Sequence, residues 1–290
     1  MTGGTSMEIN TELAKKLITE QFPNWSDLPI SLVTHSGWDN RTFHLGPNMV
    51  IRLPSDEKYA PQILKECLWL PKLARQLSFK IPTPVGLGYP SEIYPWHWSI
   101  NTWIDGDSLN QNPKIDLNQF ANDLGQFLLE FEAADAKGGP VAGPHNFYRG
   151  TSLSNYDHEM QEALPKIKDK NQGEIATKLW QSAMSSEWEN MPVWVHGDIA
   201  AGNLLIKDGG LEAVIDFGQL AIGDPACDLV IAWNFFNTES RAIFKEKINL
   251  DKNTWIRAMG WCLWKTLCWP VKGTPVDRIL NDLYLDYAHA

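Results

Sequence analysis

The chain has 290 residues, 43% of them hydrophobic and 21% charged, and a formal net charge of −10. This length suffices for two lobes with a sizeable core, and the composition is that of an ordinary soluble protein. The acidic balance argues against nucleic acid as a partner, because phosphate backbones need a basic surface; it is compatible with a cationic substrate, but solubility explains it equally well.

Residues 11–21 carry Leu13, Leu17 and Ile18 at helical spacing and read as a helix ended by Pro23. Residues 30–33 and 42–45 read as strands, joined by a loop that runs from Ser36 through Gly37 and Asn40 to Arg41. Residues 49–53 read as the next strand, carrying Arg52, and residues 61–76 as a helix carrying Glu66. Pro82 and Pro84 make the following stretch a rigid linker. A long strand is expected over residues 97–104, ended by Asp105-Gly106-Asp107. Beyond it the pattern turns helical. Leu117, Phe120, Leu124, Phe127, Leu128 and Phe131 recur at helical spacing and should face a core. A loop rich in Gly and Pro occupies residues 137–144, and further helices are expected over 156–170, 174–184, 255–269 and 276–287.

Between these helices lies the stretch that carries chemistry. Val193-Trp194-Val195 is a short apolar run ending at His196-Gly197, where Gly permits a sharp turn and leaves Asp198 on a loop. Residues 204–206 and 213–215 read as two short strands with a strong turn signal, Asp208-Gly209-Gly210, between them. A hairpin brings its ends together, so Asn203 at its entrance and Asp216 at its exit should face each other. Phosphoryl transfer needs a group to orient the attacking hydroxyl, Mg²⁺ to neutralise phosphate oxygens, and a cradle for the nucleotide. Asp198 can supply the first, and Asn203 and Asp216 offer the hard oxygen ligands that Mg²⁺ takes. Singly, Asp198 and Asn203 are turn residues and Asp216 a strand-end cap; in this order and spacing the catalytic reading prevails.

The pattern Asp198-x4-Asn203 followed by Asp216-Phe217-Gly218 resembles the catalytic loop and metal motif of the protein-kinase-like fold. His196-Gly197 before it and Gly223-Asp224-Pro225-Ala226-Cys227-Asp228 after it resemble the aminoglycoside phosphotransferase branch, which includes choline kinases and other small-molecule kinases. The resemblance runs from about Ser31 to Asp228. It implies an α+β, bilobal fold, with a small N-terminal lobe built on an antiparallel sheet and a larger, mainly helical C-terminal lobe. The lobe boundary then falls at the hinge, giving a nucleotide-binding lobe over 1–104 and a catalytic and substrate-binding lobe over 105–290.

The resemblance also implies roles. Asp198 is the catalytic residue, and Asn203 and Asp216 are the Mg²⁺ ligands. His196 holds the loop by hydrogen bonds, and Asp224 and Asp228 are structural. The loop at Ser36 covers the nucleotide, although it has one Gly and reads locally as a plain connection. Arg52, where protein kinases carry Lys, grips phosphates and pairs with Glu66; the planar guanidinium can do this bidentately but is not equivalent to Lys. The backbones of Thr102 and Ile104 read the base of ATP or GTP. The acceptor is a hydroxylated small molecule, an aminoglycoside-type antibiotic or related metabolite. An aminoglycoside would need carboxylates for its ammonium groups, and Asp157, Glu159, Glu162, Glu239, Asp282 and Asp286 are candidates, each of which reads more simply as a solvated helix face.

A protein-substrate kinase is disfavoured, since only Gln219 to Pro225 follow Gly218 before the next motif, leaving no room for an activation loop, and no Ala-Pro-Glu appears. Macrolide, choline-like or other amino-alcohol acceptors are alternatives, as is a non-catalytic pseudokinase suggested by Arg52 and the sparse glycine loop. The four cysteines form no C-x-x-C pair and sit in apolar runs, which points to a reducing compartment and no zinc site. No signal peptide or membrane span is evident, so a cytoplasmic enzyme without membrane partners is expected, as a monomer or homodimer. Most of the fourteen tryptophans should be core, with an aromatic wall for a flat or cationic ligand as the alternative for some.

Overall fold

The computed structural model describes residues 8–34, 37, 39–111, 113–270, 273 and 275–289. The chain separates into two compact units, Met1–Arg75 with Lys80–Asp105, and Gln76–Phe79 with Gly106–Ala290.

The first unit opens with α1 (Thr11–Gln21), capped by the Asn10 side chain, which accepts from Leu13 N. Strands β1 (Ile30–Leu32), β2 (Asn40–Leu45) and β3 (Met49–Pro54) follow, then α2 (Ala60–Leu73), β4 (Pro84–Gly88) and β5 (Trp98–Thr102). They form one antiparallel sheet in the order β1-β2-β3-β5-β4. Strand periodicity divides its faces. Phe43, Leu45, Ile51, Leu53, Trp98 and Ile100 join Ala14, Leu17 and Ile18 of α1 in a fully buried cluster. Arg52 and its cross-strand partner Ser99 therefore fall on the other face, where Arg52 meets Glu66 of α2. Helix α2 ends three residues before the expected end and carries Pro71 inside it.

The second unit contains β6 (Asp107–Ser108), α3 (Leu117–Ala133), α4 (Asp157–Ala163), α5 (Lys170–Met184), β7 (Val193–Val195), β8 (Leu204–Lys207), β9 (Gly210–Val214), β10 (Ala221–Gly223), α6 (Ile231–Asn234), α7 (Thr238–Ile248), α8 (Lys252–Cys268) and α9 (Val276–Ala288). Strands β6-β8-β9 form one small sheet and β7-β10 another. The helix expected over 156–170 is shorter: after α4 a 3-10 turn at Leu164–Lys166 takes over, because Pro165 cannot donate to an α-helical ladder. Helix α5 then starts at Lys170, earlier than expected, because the Asp169 side chain caps it by accepting from Gln172 N.

The buried aromatic residues include Trp180, Trp194, Trp233, Trp261, Phe120, Phe127, Phe131 and Phe217, all in this unit. Among the described residues all four cysteines are free thiols, and no helix is long and apolar enough to cross a membrane.

Candidate active site

The hairpin β8-β9 turns at Asp208 (φ 52°) and Gly209 (φ 87°), the two left-handed positions that a type I′ turn requires. Leu204 pairs with Val214, and Ile215 N donates to Asn203 O at 2.9 Å, which extends the ladder to the mouth of the hairpin. Asn203 and Asp216 thereby flank the same end. Asp216 itself is left-handed (φ 65°, ψ 68°), a conformation that a short polar side chain tolerates better than most but that still stores strain. The next residue, Phe217, is fully buried, with its ring 4.6 Å from the His196 ring and 5.8 Å from that of Phe131. Phe217 anchors the strained residue before it.

His196 is fully buried. Its Nε2 lies 3.0 Å from Ile215 O, and its Nδ1 lies 3.2 Å from Asp198 N. A carbonyl only accepts and a backbone N–H only donates, so Nε2 carries the proton and Nδ1 is the acceptor. This neutral tautomer ties the start of the Asp198 loop to the end of β9. The buried carboxylate of Asp228 holds the same loop from behind: His196 N donates to its Oδ2 at 2.6 Å and Gly197 N to its Oδ1 at 2.8 Å. Gly197 has φ +82°, which lets both N–H groups reach one carboxylate. Burial pushes the Asp228 carboxyl above the ordinary aspartate range, although these donors favour its ionised form. Asp224 is held in turn by Arg257, whose Nε donates to its Oδ2 at 2.7 Å.

Asp198 sits at the centre. Asn203 Nδ2 donates to Asp198 O at 2.9 Å and to its Oδ2 at 3.3 Å, which leaves Asn203 Oδ1 as an oxygen donor for a cation. Lys265 of α8 donates to Asp198 Oδ1 at 2.8 Å. Burial raises the Asp198 carboxyl, but the charge and hydrogen bond of Lys265 outweigh it and hold the group below its usual value. Lys265 belongs to none of the sequence motifs. It is the single charged residue in the apolar stretch 261–269, and that isolation is the one signal that marked it. Arg149, also overlooked, shares a small cavity with Asp198, Trp264 and Lys265.

The donor set suits Mg²⁺. Among the described residues no group of three or more His, Cys, Asp or Glu side chains forms a cage. Mg²⁺ needs none, because it takes one or two protein oxygens and completes its shell with substrate phosphates and water. Asn203 Oδ1 and the Asp216 carboxylate, borne at the same end of the hairpin, could supply two such oxygens.

In the first unit, Arg52 Nη1 donates to Glu66 Oε2 at 2.5 Å, with both side chains buried. Thr102 N is engaged by Thr83 O at 2.9 Å. Ile104 takes no backbone partner among the described residues. Ser36 lies outside the described residues.

The six candidate carboxylates are each engaged by protein partners. Asp157 accepts from the Trp180 indole, Glu159 from those of Trp264 and Trp269, and Glu239 from Asn118. Glu162 pairs with His158, Asp282 with Arg241 and Arg278, and Asp286 with Arg241 and Lys245.

Residues 32–261 match the phosphotransferase enzyme family. No curated protein matches the chain. Among solved structures, the GDP complex of wild-type aminoglycoside 2'-phosphotransferase-IIIa superposes with a TM-score of 0.74 at 19% identity, over 96% of this chain and 100% of that one. The GDP and kanamycin complex of APH(2")-IIia gives 0.71 at 21% identity, over 95% and 98%. The macrolide 2'-phosphotransferase MphH from Brachybacterium faecium gives 0.61 at 17% identity, over 96% and 94%. At these identities the likeness is one of fold, and it agrees with the bilobal kinase-like architecture expected from the sequence.

Proposed function

The chain belongs to the phosphotransferase enzyme family, and from that premise we propose that it transfers the γ-phosphoryl group of ATP or GTP to a hydroxyl of a small molecule. The observation that carries this reading is the Asp198 carboxylate hydrogen-bonded to Asn203, with Asn203 tied through its backbone to the residue before Asp216.

In the proposed reaction the acceptor hydroxyl donates to Asp198, and its oxygen attacks the γ-phosphorus in line. The new O–P bond forms as the bond from that phosphorus to the β–γ bridging oxygen breaks. The proton passes to Asp198 and then to solvent, leaving a phosphate monoester and a nucleoside diphosphate. Lys265 keeps Asp198 a weak base, which suits a loose transition state in which the hydroxyl is positioned first and deprotonated late. Asn203 and Asp216 would hold Mg²⁺, which neutralises the phosphate oxygens when bound. Arg52, braced by Glu66, binds non-transferred phosphates, and the backbone of Ile104 and that of Thr102 serve the base. The Ser36 loop belongs to the same proposed nucleotide site. Preorganisation of the Asp198 loop by Asp228 and His196 supplies the positioning on which such catalysis depends.

Relatives of the same fold include aminoglycoside and macrolide phosphotransferases, so antibiotics of both kinds belong in the first acceptor panel, beside small amino alcohols and other hydroxylated metabolites. An antibiotic acceptor would make this a resistance enzyme of the cytoplasm. The test is Mg²⁺-dependent transfer of labelled γ-phosphate to such a panel. A labelled, stable monoester is the expected product; nucleotide binding without hydrolysis or transfer would favour a pseudokinase instead.

A further inference from the structure

The cavity beside Asp198 is walled by cations and aromatic rings. The guanidinium of Arg149 lies 4.3 Å from the centre of the Trp264 ring, 5.5 Å from that of Tyr156 and 5.6 Å from that of Trp261. Its Nε donates to Gln219 at 3.3 Å, and its Nη1 and Nη2 have no hydrogen-bond partner among the described residues. A guanidinium over an indole face is held there by the ring, and its Nη1 and Nη2 donors can be given to a planar or tetrahedral anion. Lys265 uses one of its three donors on Asp198. The nearby carboxylate of Glu159 accepts from the indoles of both Trp264 and Trp269, and the remaining acidic candidates are engaged with their own partners.

We propose that the acceptor carries an anionic group, a carboxylate or a phosphate, received by the guanidinium of Arg149, held over the Trp264 ring, and the ammonium of Lys265 beside the hydroxyl that Asp198 orients. This rests on the phosphotransferase reading of Asp198. Two cations against the single carboxylate of Asp198 leave the cavity lining with a surplus of positive charge, and both cations keep donors to give, which favours an anion over a polycation. The aromatic floor supplies no charge of its own and serves to hold Arg149 in place. Arg149 is a specificity-determining residue of the acceptor site, and Lys265 serves both the acceptor and Asp198.

The test uses the full chain with Mg²⁺ and labelled nucleotide. Basal nucleotide hydrolysis is measured first, with Asp198→Asn as the control. Transfer is then compared across two matched series, glycerol with glycerate and glycerol 3-phosphate, and glucose with gluconate and glucose 6-phosphate, and against the polycation kanamycin. The charged members of a series are expected to exceed their uncharged parent by roughly tenfold or more in kcat/KM, and the two anions distinguish carboxylate from phosphate. Arg149→Gln is expected to raise KM for the preferred anion by about ten- to a hundredfold, the scale of a charge-assisted hydrogen bond lost, with a much smaller change in kcat. Arg149→Lys should recover part of that loss. Equal or better turnover of kanamycin or of the uncharged parents would overturn the proposal, as would an unchanged KM in Arg149→Gln. Absence of transfer to every anionic member, with basal hydrolysis intact, would overturn it while leaving the phosphotransferase reading in place. Absence of basal hydrolysis together with all transfer would mean that the phosphotransferase reading itself fails, and the proposal with it.

Discussion

Replacing Asp228 by Asn tests how the Asp198 loop is held. The carboxylate accepts from the backbone N–H groups of both His196 and Gly197 and is almost wholly buried. Asparagine has the same shape but a single oxygen. Its amide NH₂ would face one of those two donors, leaving an N–H without an acceptor. Loss of a charge-assisted hydrogen bond costs about 1.5–3 kcal/mol, and a stranded buried donor about 1–3 kcal/mol more. Removing a buried charge returns part of this, because burial already disfavours the ionised Asp228. A net loss of about 2–4 kcal/mol follows, or roughly 5–15 °C in melting temperature for a unit of this size. The catalytic consequence is larger than the thermal one. With His196 and Gly197 released, Asp198 shifts, and a displacement of about 1 Å costs on the order of a hundredfold in rate. Thermal unfolding followed by circular dichroism, with kcat and nucleotide KM measured below the transition, reads both effects. Asp228→Asn should melt earlier and lose kcat while nucleotide KM changes little. A variant that melts within about 1 °C of the parent and keeps its kcat would refute the claim that this carboxylate organises the loop.

The buried pair of Arg52 and Glu66 should show strong coupling. Glu66→Ala leaves a buried guanidinium without this partner and should cost about 3–5 kcal/mol, whereas the double variant Arg52→Met with Glu66→Leu should recover much of that loss; urea unfolding of the full cycle measures it, and additive single effects would contradict the pairing. Glu132 of α3 has its carboxyl pushed up to about 8 by burial first and by Asp228 and Asp224 second. The folded chain therefore holds a proton there that the unfolded chain has lost, so this group's stabilisation is full below about 4.5 and disappears as pH rises towards about 8. Glu132→Gln should gain in melting temperature relative to the parent as pH rises across that window, and a difference independent of pH would refute the assignment.

How much of this was legible in the sequence follows from chain separation. His196 to Asn203 and Ile215 to Gly218 are nearly contiguous, and Asp208-Gly209 fixes the hairpin that joins them, so the loop and hairpin that carry the proposed site are legible directly. The pair of Arg52 and Glu66 was legible through strand-helix order, because strand alternation alone decides which face Arg52 takes. Lys265 is 67 residues from Asp198, and no local pattern links an isolated lysine on an apolar helix to a distant loop. Helix α7 was missed because its apolar residues do not make a clear stripe in Thr238–Ile248; it is set by the capping box of Asn237 with Ser240 and by packing against α3. Helical periodicity continues past α4 in the sequence, but Pro165, which lacks an N–H, ends the α-helix there. The proposed acceptor site is least legible, since Arg149, Trp264 and Lys265 meet only in the folded chain.

The central claim is that Asp198 orients the acceptor and does not build the nucleotide site. It is tested most directly by measuring nucleotide affinity and γ-phosphate transfer on one preparation of Asp198→Asn. Nucleotide affinity should stay within about threefold of the parent, and transfer should fall by at least about a hundredfold, the scale of a lost acid–base group. Transfer at the parental rate, or loss of nucleotide binding in step with loss of transfer, would contradict the account.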